Sequence, residues 1–246
     1  MRRDFICLTR LIVDSLPKKI RNSYLLFKLA KHIFNLPEIL YEFRCNFDKG
    51  LYDDLSIFYK KDSPYKLKRT SQYTDINSKH IKQIISLVKK ENPKSILDVG
   101  CGTGYLVDLI EKENFNKFIS VLDYNIPPAL KNKSKYKCFE GDILEKLKLF
   151  KDDSFELVIC THVLEHIKKP ELVLRDLRRI SSRNLLIICP LENNFKWGMN
   201  YHINFYKDEL SFQKFVKSIG YVKEKLLKAS NFYKFLGDLM YVETYM

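Results

Sequence analysis

At 246 residues and 46% hydrophobic, the chain can bury a sizeable core as one large domain or one domain with an accessory element. No apolar run approaches the ~20 residues of a membrane-spanning helix, and no internal repeat suggests a solenoid. The net charge of +13 is uneven, because residues 1–35 carry eight Lys or Arg against only Asp4 and Asp14.

The first segment has basic residues and an apolar stretch, but Asp4 and Arg10 interrupt it and no small-residue cleavage site follows. The expectation is a retained segment rather than a signal peptide. Phe5, Leu8, Ile12 and Leu16 recur at helical spacing, and helical patterns continue over 18–34, 37–47 and 76–90, with Asn77 placed to cap the last. Pro17, Pro37 and Pro64 punctuate them.

After Lys94 the texture changes. Short apolar runs at 95–100, 118–123, 136–139, 155–161 and 184–189 alternate with amphipathic stretches at 103–113, 170–180 and 207–219. This predicts an α/β fold whose mostly parallel sheet carries helices on both faces. Two further strand patterns, "YVKEKLLKA" and "LMYVETYM", predict an antiparallel hairpin at one edge of what becomes a seven-stranded, doubly wound sheet. Residues 1–92 are then an N-terminal helical extension or lid, and residues 93–246 the α/β domain. Six cysteines without any C-x-x-C spacing, three of them inside apolar runs, read as reduced thiols of a cytoplasmic protein.

The stretch "SILDVGCGTGYL" places a glycine-rich turn directly after the first strand. Backbone N–H groups at such a strand-to-helix turn point into the ligand crevice of a doubly wound sheet. A dinucleotide fingerprint wants a small residue where Tyr105 stands, and no lysine follows as in a P-loop. What is present is an acidic residue and then G-x-G-x-G: Asp98, Gly100, Gly102 and Gly104. With "VLDYN" at the second strand end, "EGDIL" at the third and "CTHVLEH" at the fourth, this resembles the class I S-adenosylmethionine-dependent methyltransferases, in their small-molecule branch.

The resemblance implies S-adenosylmethionine as cofactor, with Asp98, Gly100, Cys101, Gly102 and Gly104 at its amino-acid end and Asp123 and Tyr124 at the ribose. It further implies Asp142 and Ile143 at the adenine, and Thr161 where the fourth strand ends. The chain lacks the Asn- or Asp-Pro-Pro-aromatic motif of enzymes that methylate planar amino nitrogens. Methylation of a small polar or glycan-type acceptor at oxygen is expected, against an RNA methyltransferase or a non-catalytic cofactor-binding partner subunit as competing classes.

His162, at the fourth strand tip, is the first candidate for general base and His202 the second. No metal is expected in the preferred reading. The alternative is a divalent-ion site of His162, Glu165, His166 and His202, by analogy with relatives that carry E-x-x-E-H and a later histidine, from which this chain departs at His162. Tyr65, Arg69 and Tyr73 are candidates to cover the donor or grip the acceptor. Nucleic acid is not an expected partner, while residues 1–35 could make weak peripheral contact with an anionic membrane.

Overall fold

Alternation along the central strands divides the core into two layers. In the computed structural model, which describes residues 15–34, 38–47, 74–113, 118–194, 196–198, 200–220 and 227–246, seven strands form one sheet. They are β1 (Ser95–Val99), β2 (Phe118–Asp123), β3 (Tyr136–Glu140), β4 (Phe155–Thr161), β5 (Ser181–Pro190), β6 (Leu227–Phe235) and β7 (Asp238–Tyr245). The order is β3-β2-β1-β4-β5-β7-β6, with β1 to β5 parallel and β7 antiparallel to both its neighbours. Leu97, Val99, Val158, Cys160, Leu185 and Ile187 line one face, and Ile96, Leu157, Ile159, Leu186 and Ile188 the other. Burial on both faces explains why these strands read as near-continuous apolar runs.

The helices are α1 (Lys18–Arg21), α2 (Tyr24–Phe34), α3 (Glu38–Phe47), α4 (Ser78–Glu91), α5 (Tyr105–Lys112), α6 (Pro128–Lys131), α7 (Ile143–Leu147), α8 (Pro170–Ile180) and α9 (Glu209–Ser218). Val173, Leu174, Leu177 and Ile180 of α8 and Phe212 and Val216 of α9 cover the first face. Ile84 and Val88 of α4, with Leu106, Val107 and Ile110 of α5, cover the second. Asn77 caps α4 as predicted, its Oδ1 accepting from the His80 N–H at 2.9 Å, a contribution of about 1 kcal/mol. Its Nδ2 donates to Asp238 Oδ2 at 3.0 Å, tying α4 to the start of β7.

Three boundaries differ from the sequence expectation. The helical pattern over 18–34 breaks after α1, where Asn22 accepts a hydrogen bond from the Lys196 N–H at 2.9 Å and so anchors the break to the segment after β5. The first helix of the α/β unit starts at Tyr105 instead of Thr103, because Gly104 lies at φ 79°. Strand β5 follows α8 without a loop and starts at Ser181.

Helices α2 and α3 form a small core of their own. Phe27, Leu40 and Phe43 pack with Tyr41 and, from the segment after β5, with Trp197, Tyr201 and Ile203. Among the described residues no helix is long and apolar enough to cross a membrane.

Candidate active site

The strand order reverses at β1, whose neighbours β2 and β4 lead away in opposite directions. The crevice beyond the carboxyl ends of β1 and β4 is where an open α/β sheet binds its ligand. The predicted glycine turn stands there. Gly100, Gly102 and Gly104 take φ values of 74°, 57° and 79°, a backbone region that L side chains adopt at a cost. A Cβ on Gly100 would lie 2.2 Å from Val163 Cγ2, and one on Gly104 2.1 Å from Leu130 Cδ1. These two glycines are therefore required by the turn and by close packing on its protein side.

Two carboxylates stand at the turn, and one of them bonds it. Asp123, ending β2, accepts from the Gly102 N–H at 2.9 Å and the Asn125 N–H at 3.1 Å. Burial raises its carboxyl to about 6 against those backbone hydrogen bonds. Asp98 is only 1% exposed, and its Oδ1 has no hydrogen-bond partner among the described residues. Burial, and then the Asp123 charge, push it up to about 7. Cys101 is buried in the same turn, and Tyr124 follows Asp123 half-buried. Asp142 is the N-cap of α7, accepting from the Glu145 N–H at 3.2 Å, while Ile143 is the first residue of that helix and packs against the core.

At the tip of β4, Thr161 is buried and His162 takes φ 54°, its N–H donating to the Ile188 carbonyl at 2.8 Å. This turn aims the His162 Nδ1 at Glu165 Oε1, 3.3 Å away. Glu165 is fully buried within a short 3-10 turn, Leu164–His166. Burial alone would raise its carboxyl, but the imidazoles of His162, His166 and His202 outweigh that and hold it at about 2. His166 is pushed down to about 4 by burial and by the His202 charge, and its Nδ1 lies 3.3 Å from the Tyr201 carbonyl. The His166 and His202 rings meet edge to face at 4.7 Å.

Three of the four alternative metal ligands thus converge: one donor atom each from Glu165, His166 and His202 lies within 4.8 Å of the others. His162 falls outside that group and contacts its carboxylate member, Glu165.

Sequence reasoning missed Glu192, Asn200 and Arg44. Glu192 is buried just past β5, and its Oε1 receives His202 Nδ1. Its position directly beyond a strand tip, ten residues before His202, was the available signal. Arg44 of α3 donates to Asn200 and is fully buried; its place four residues after Leu40, on the apolar stripe of α3, was the clue. Tyr65, Arg69 and Tyr73 lie outside the described residues, as do residues 1–14.

Residues 73–223 match the family described as "Methyltransferase domain". The chain belongs to the class I S-adenosylmethionine-dependent methyltransferases. Among its methyltransferase relatives, the chain is 30% identical over 131 residues to the ubiquinone biosynthesis O-methyltransferase of Rickettsia bellii, covering 49% of this chain and 53% of that one. It is 31% identical over 86 residues to the mitochondrial ubiquinone biosynthesis O-methyltransferase of Saccharomyces cerevisiae, covering 33% and 28%. The chain spans about half the length of the Rickettsia relative. Its fold matches 1,6-didemethyltoxoflavin-N1-methyltransferase of Burkholderia thailandensis, solved with its substrate and S-adenosylhomocysteine, at TM-score 0.52 and 12% identity over 88% of this chain and 91% of that one. Magnesium protoporphyrin IX methyltransferase of Synechocystis, solved with S-adenosylhomocysteine, matches at 0.54 and 11% over 78% and 99%.

The residues at this crevice fit S-adenosylmethionine. Beside the positive-φ turn, a buried Asp98 oxygen without a partner among the described residues and the Asp123 carboxylate at the β2 tip are acceptors that would suit an ammonium and ribose hydroxyls.

Proposed function

We propose that this chain methylates an oxygen of a small polar acceptor, glycan-type molecules included, with His202 as general base. The donor supplies a methyl already activated on a sulfonium. Asp98 accepts the ammonium, and Asp123 accepts from the ribose hydroxyls while holding the Gly102 N–H. Tyr124, Cys101 and Thr161 border that crevice, and Asp142 and Ile143 stand at its adenine end.

The observation that carries the reaction class is the pairing of His202 with the buried Glu192 at the tip of β5. A carboxylate on Nδ1 orients the ring and leaves Nε2 as the basic nitrogen for an acceptor hydroxyl. His162, paired with Glu165, is the second such histidine and serves to orient the β4 tip. The O-methyltransferase names of the curated relatives support oxygen as the acceptor atom. Buried Cys160 and Cys189, both free thiols, suit a cytoplasmic setting.

Labelled methyl transfer from S-adenosylmethionine to separate panels of phenols, sugars and total RNA tests this reading. Label in a phenol or sugar, lost in His202→Asn, supports it; label in RNA alone would replace it with an RNA methyltransferase. Cofactor binding without label in any panel would favour a non-catalytic partner subunit.

The convergence of Glu165, His166 and His202 favours one competing mechanism, a divalent ion that takes over acceptor activation. Complete loss of activity in EDTA, restored by one divalent ion, would establish it over the metal-free base.

Helix α2 also bears on where the acceptor resides. Its inner face is buried through Phe27 and Ala30, yet Leu25 is 74% and Ile33 62% exposed. Lys18, Lys19, Arg21 and Lys28 flank this stripe, and 15–34 holds no acidic residue. That combination supports weak contact of the extension with an anionic lipid surface. Sedimentation with anionic but not neutral liposomes, abolished by Leu25→Asp with Ile33→Asp, is the expected result; equal sedimentation with both would overturn it.

A further inference from the structure

One polar contact between the helical extension and the α/β unit leads to the imidazole assigned as base. We propose that Arg44, on α3, is a positioning residue for His202: it locks Asn200 and balances the Glu192 carboxylate, which in turn fixes the imidazole tautomer. The meaning of this inference rests on His202 being the base, but the contact itself can be tested without methyl transfer.

Each link is a direct polar contact. Arg44 Nη2 donates to both the backbone carbonyl and the Oδ1 of Asn200. Asn200 Nδ2 donates to Glu192 Oε2 at 3.3 Å, and its Oδ1 also accepts from the His202 N–H at 3.3 Å. Glu192 Oε1 meets His202 Nδ1. One asparagine therefore touches the cation, the carboxylate and the histidine backbone together.

The surroundings are built for this guanidinium. A Cβ on Gly198 would stand 2.7 Å from Arg44 Nη2 and 2.9 Å from its Cζ, so the glycine lets the segment after β5 pass beside the guanidinium in its present position. The same segment is clamped on the extension through Trp197, whose ring lies 5.3 Å from Phe27 and 4.9 Å from Tyr24, and through Tyr201 against Phe43 at 5.3 Å. A fully buried guanidinium is costly to desolvate without an opposing charge, and the Glu192 carboxylate supplies that charge here. Reciprocally, an Asn200 no longer held by Arg44 leaves the Glu192 carboxylate free to turn away, which would release the Nδ1–H that makes Nε2 the basic atom.

The test uses the full chain, with no acceptor, and reads the histidine tautomer by long-range ¹H–¹⁵N NMR above neutral pH, His202 being assigned from the spectrum of His202→Asn. Wild type should show a proton on Nδ1 of His202. Arg44→Met should shift that signature towards the Nε2–H form that free imidazole side chains prefer, and Arg44→Lys should recover part of it because an ammonium still supplies the charge. S-adenosylhomocysteine affinity should stay within about twofold of wild type, since Arg44 acts on Asn200 in the segment after β5 whereas Asp98 and Asp123 stand on β1 and β2. If Arg44→Met does not fold, Asn200→Ala breaks the same bridge without uncovering a buried charge and should give the same shift. An unchanged His202 signature in a folded Arg44→Met or Asn200→Ala protein overturns the proposal. Failure of the methyl-transfer assay alone would count against the reading of His202 as base and leave this contact standing.

Discussion

Two buried charged networks lie on different sides of this molecule, and they differ in how completely they are satisfied. Between α8, the end of α9 and β7, Arg178 donates through Nε to both oxygens of Glu243 at 3.1 Å, through Nη2 to the Val216 carbonyl at 3.0 Å and through Nη1 to Ile219. Glu243 also accepts from the hydroxyls of Tyr241 and Tyr245. At the β4 and β5 tips, by contrast, neither oxygen of the buried Glu165 and not His162 Nε2 makes a hydrogen bond among the described residues. The closed network matches a structural role. The open one stands where the proposed function places its chemistry.

Breaking the closed network should have the largest effect. Glu243→Ala leaves a guanidinium that cannot shed its proton, so unfolding free energy should fall by about 3–5 kcal/mol in denaturant titration. The folded fraction should bind S-adenosylhomocysteine as wild type does. A loss below about 1 kcal/mol would erase the distinction between the two networks.

Next in size is the cofactor side of the crevice. Asp123→Ala removes an acceptor expected to hold ribose hydroxyls and one that holds the Gly102 N–H. Calorimetry should show S-adenosylhomocysteine binding weakened by about 1.5–3 kcal/mol. Unchanged affinity would take Asp123 out of the site.

Asp98 gives a pH dependence of similar kind and smaller size. Its folded carboxyl is raised to about 7, so the free protein holds a proton that the unfolded chain has already released. That lowers stability as pH rises from about 4 to about 7, whereas His166, depressed to about 4, raises stability over much of the same range. Global stability therefore mixes opposite slopes, whereas ligand affinity reads the two crevice carboxylates, Asp98 above Asp123 at about 6. An ammonium favours the ionised carboxylate, so S-adenosylhomocysteine affinity should fall roughly tenfold from about pH 8 to about pH 6, with proton release on binding near neutral pH. Asp98→Asn should flatten this profile; a flat wild-type profile would remove Asp98 as the ammonium partner.

What could be read from the sequence follows the range of the forces involved. The sheet was legible because burial on both faces writes near-continuous apolar runs into β1, β4 and β5, and the glycine turn because positive φ leaves few residue choices. His162 and His202 stood out as titratable groups near strand tips. Glu165 was legible beside His162, but the contacts behind His202 were not. Arg44 reaches Asn200 across 156 positions, and a single arginine on an amphipathic helix carries no mark of that distant contact. Asn22, which breaks the helical pattern near its start, likewise acts through Lys196.

The smallest effect is expected inside the open network, and it separates the two networks most sharply. Glu165 faces imidazoles, and an imidazole, unlike the guanidinium of Arg178, can give up its proton when its carboxylate partner disappears. Glu165→Gln should therefore leave neutral rings beside an amide, with no stranded charge. Unfolding free energy should change by less than about 1 kcal/mol near neutral pH, although the residue is as buried as Glu243. A loss for Glu165→Gln as large as for Glu243→Ala would mean that the β4 tip is held by a closed structural pair, and the contrast between the two networks would fail.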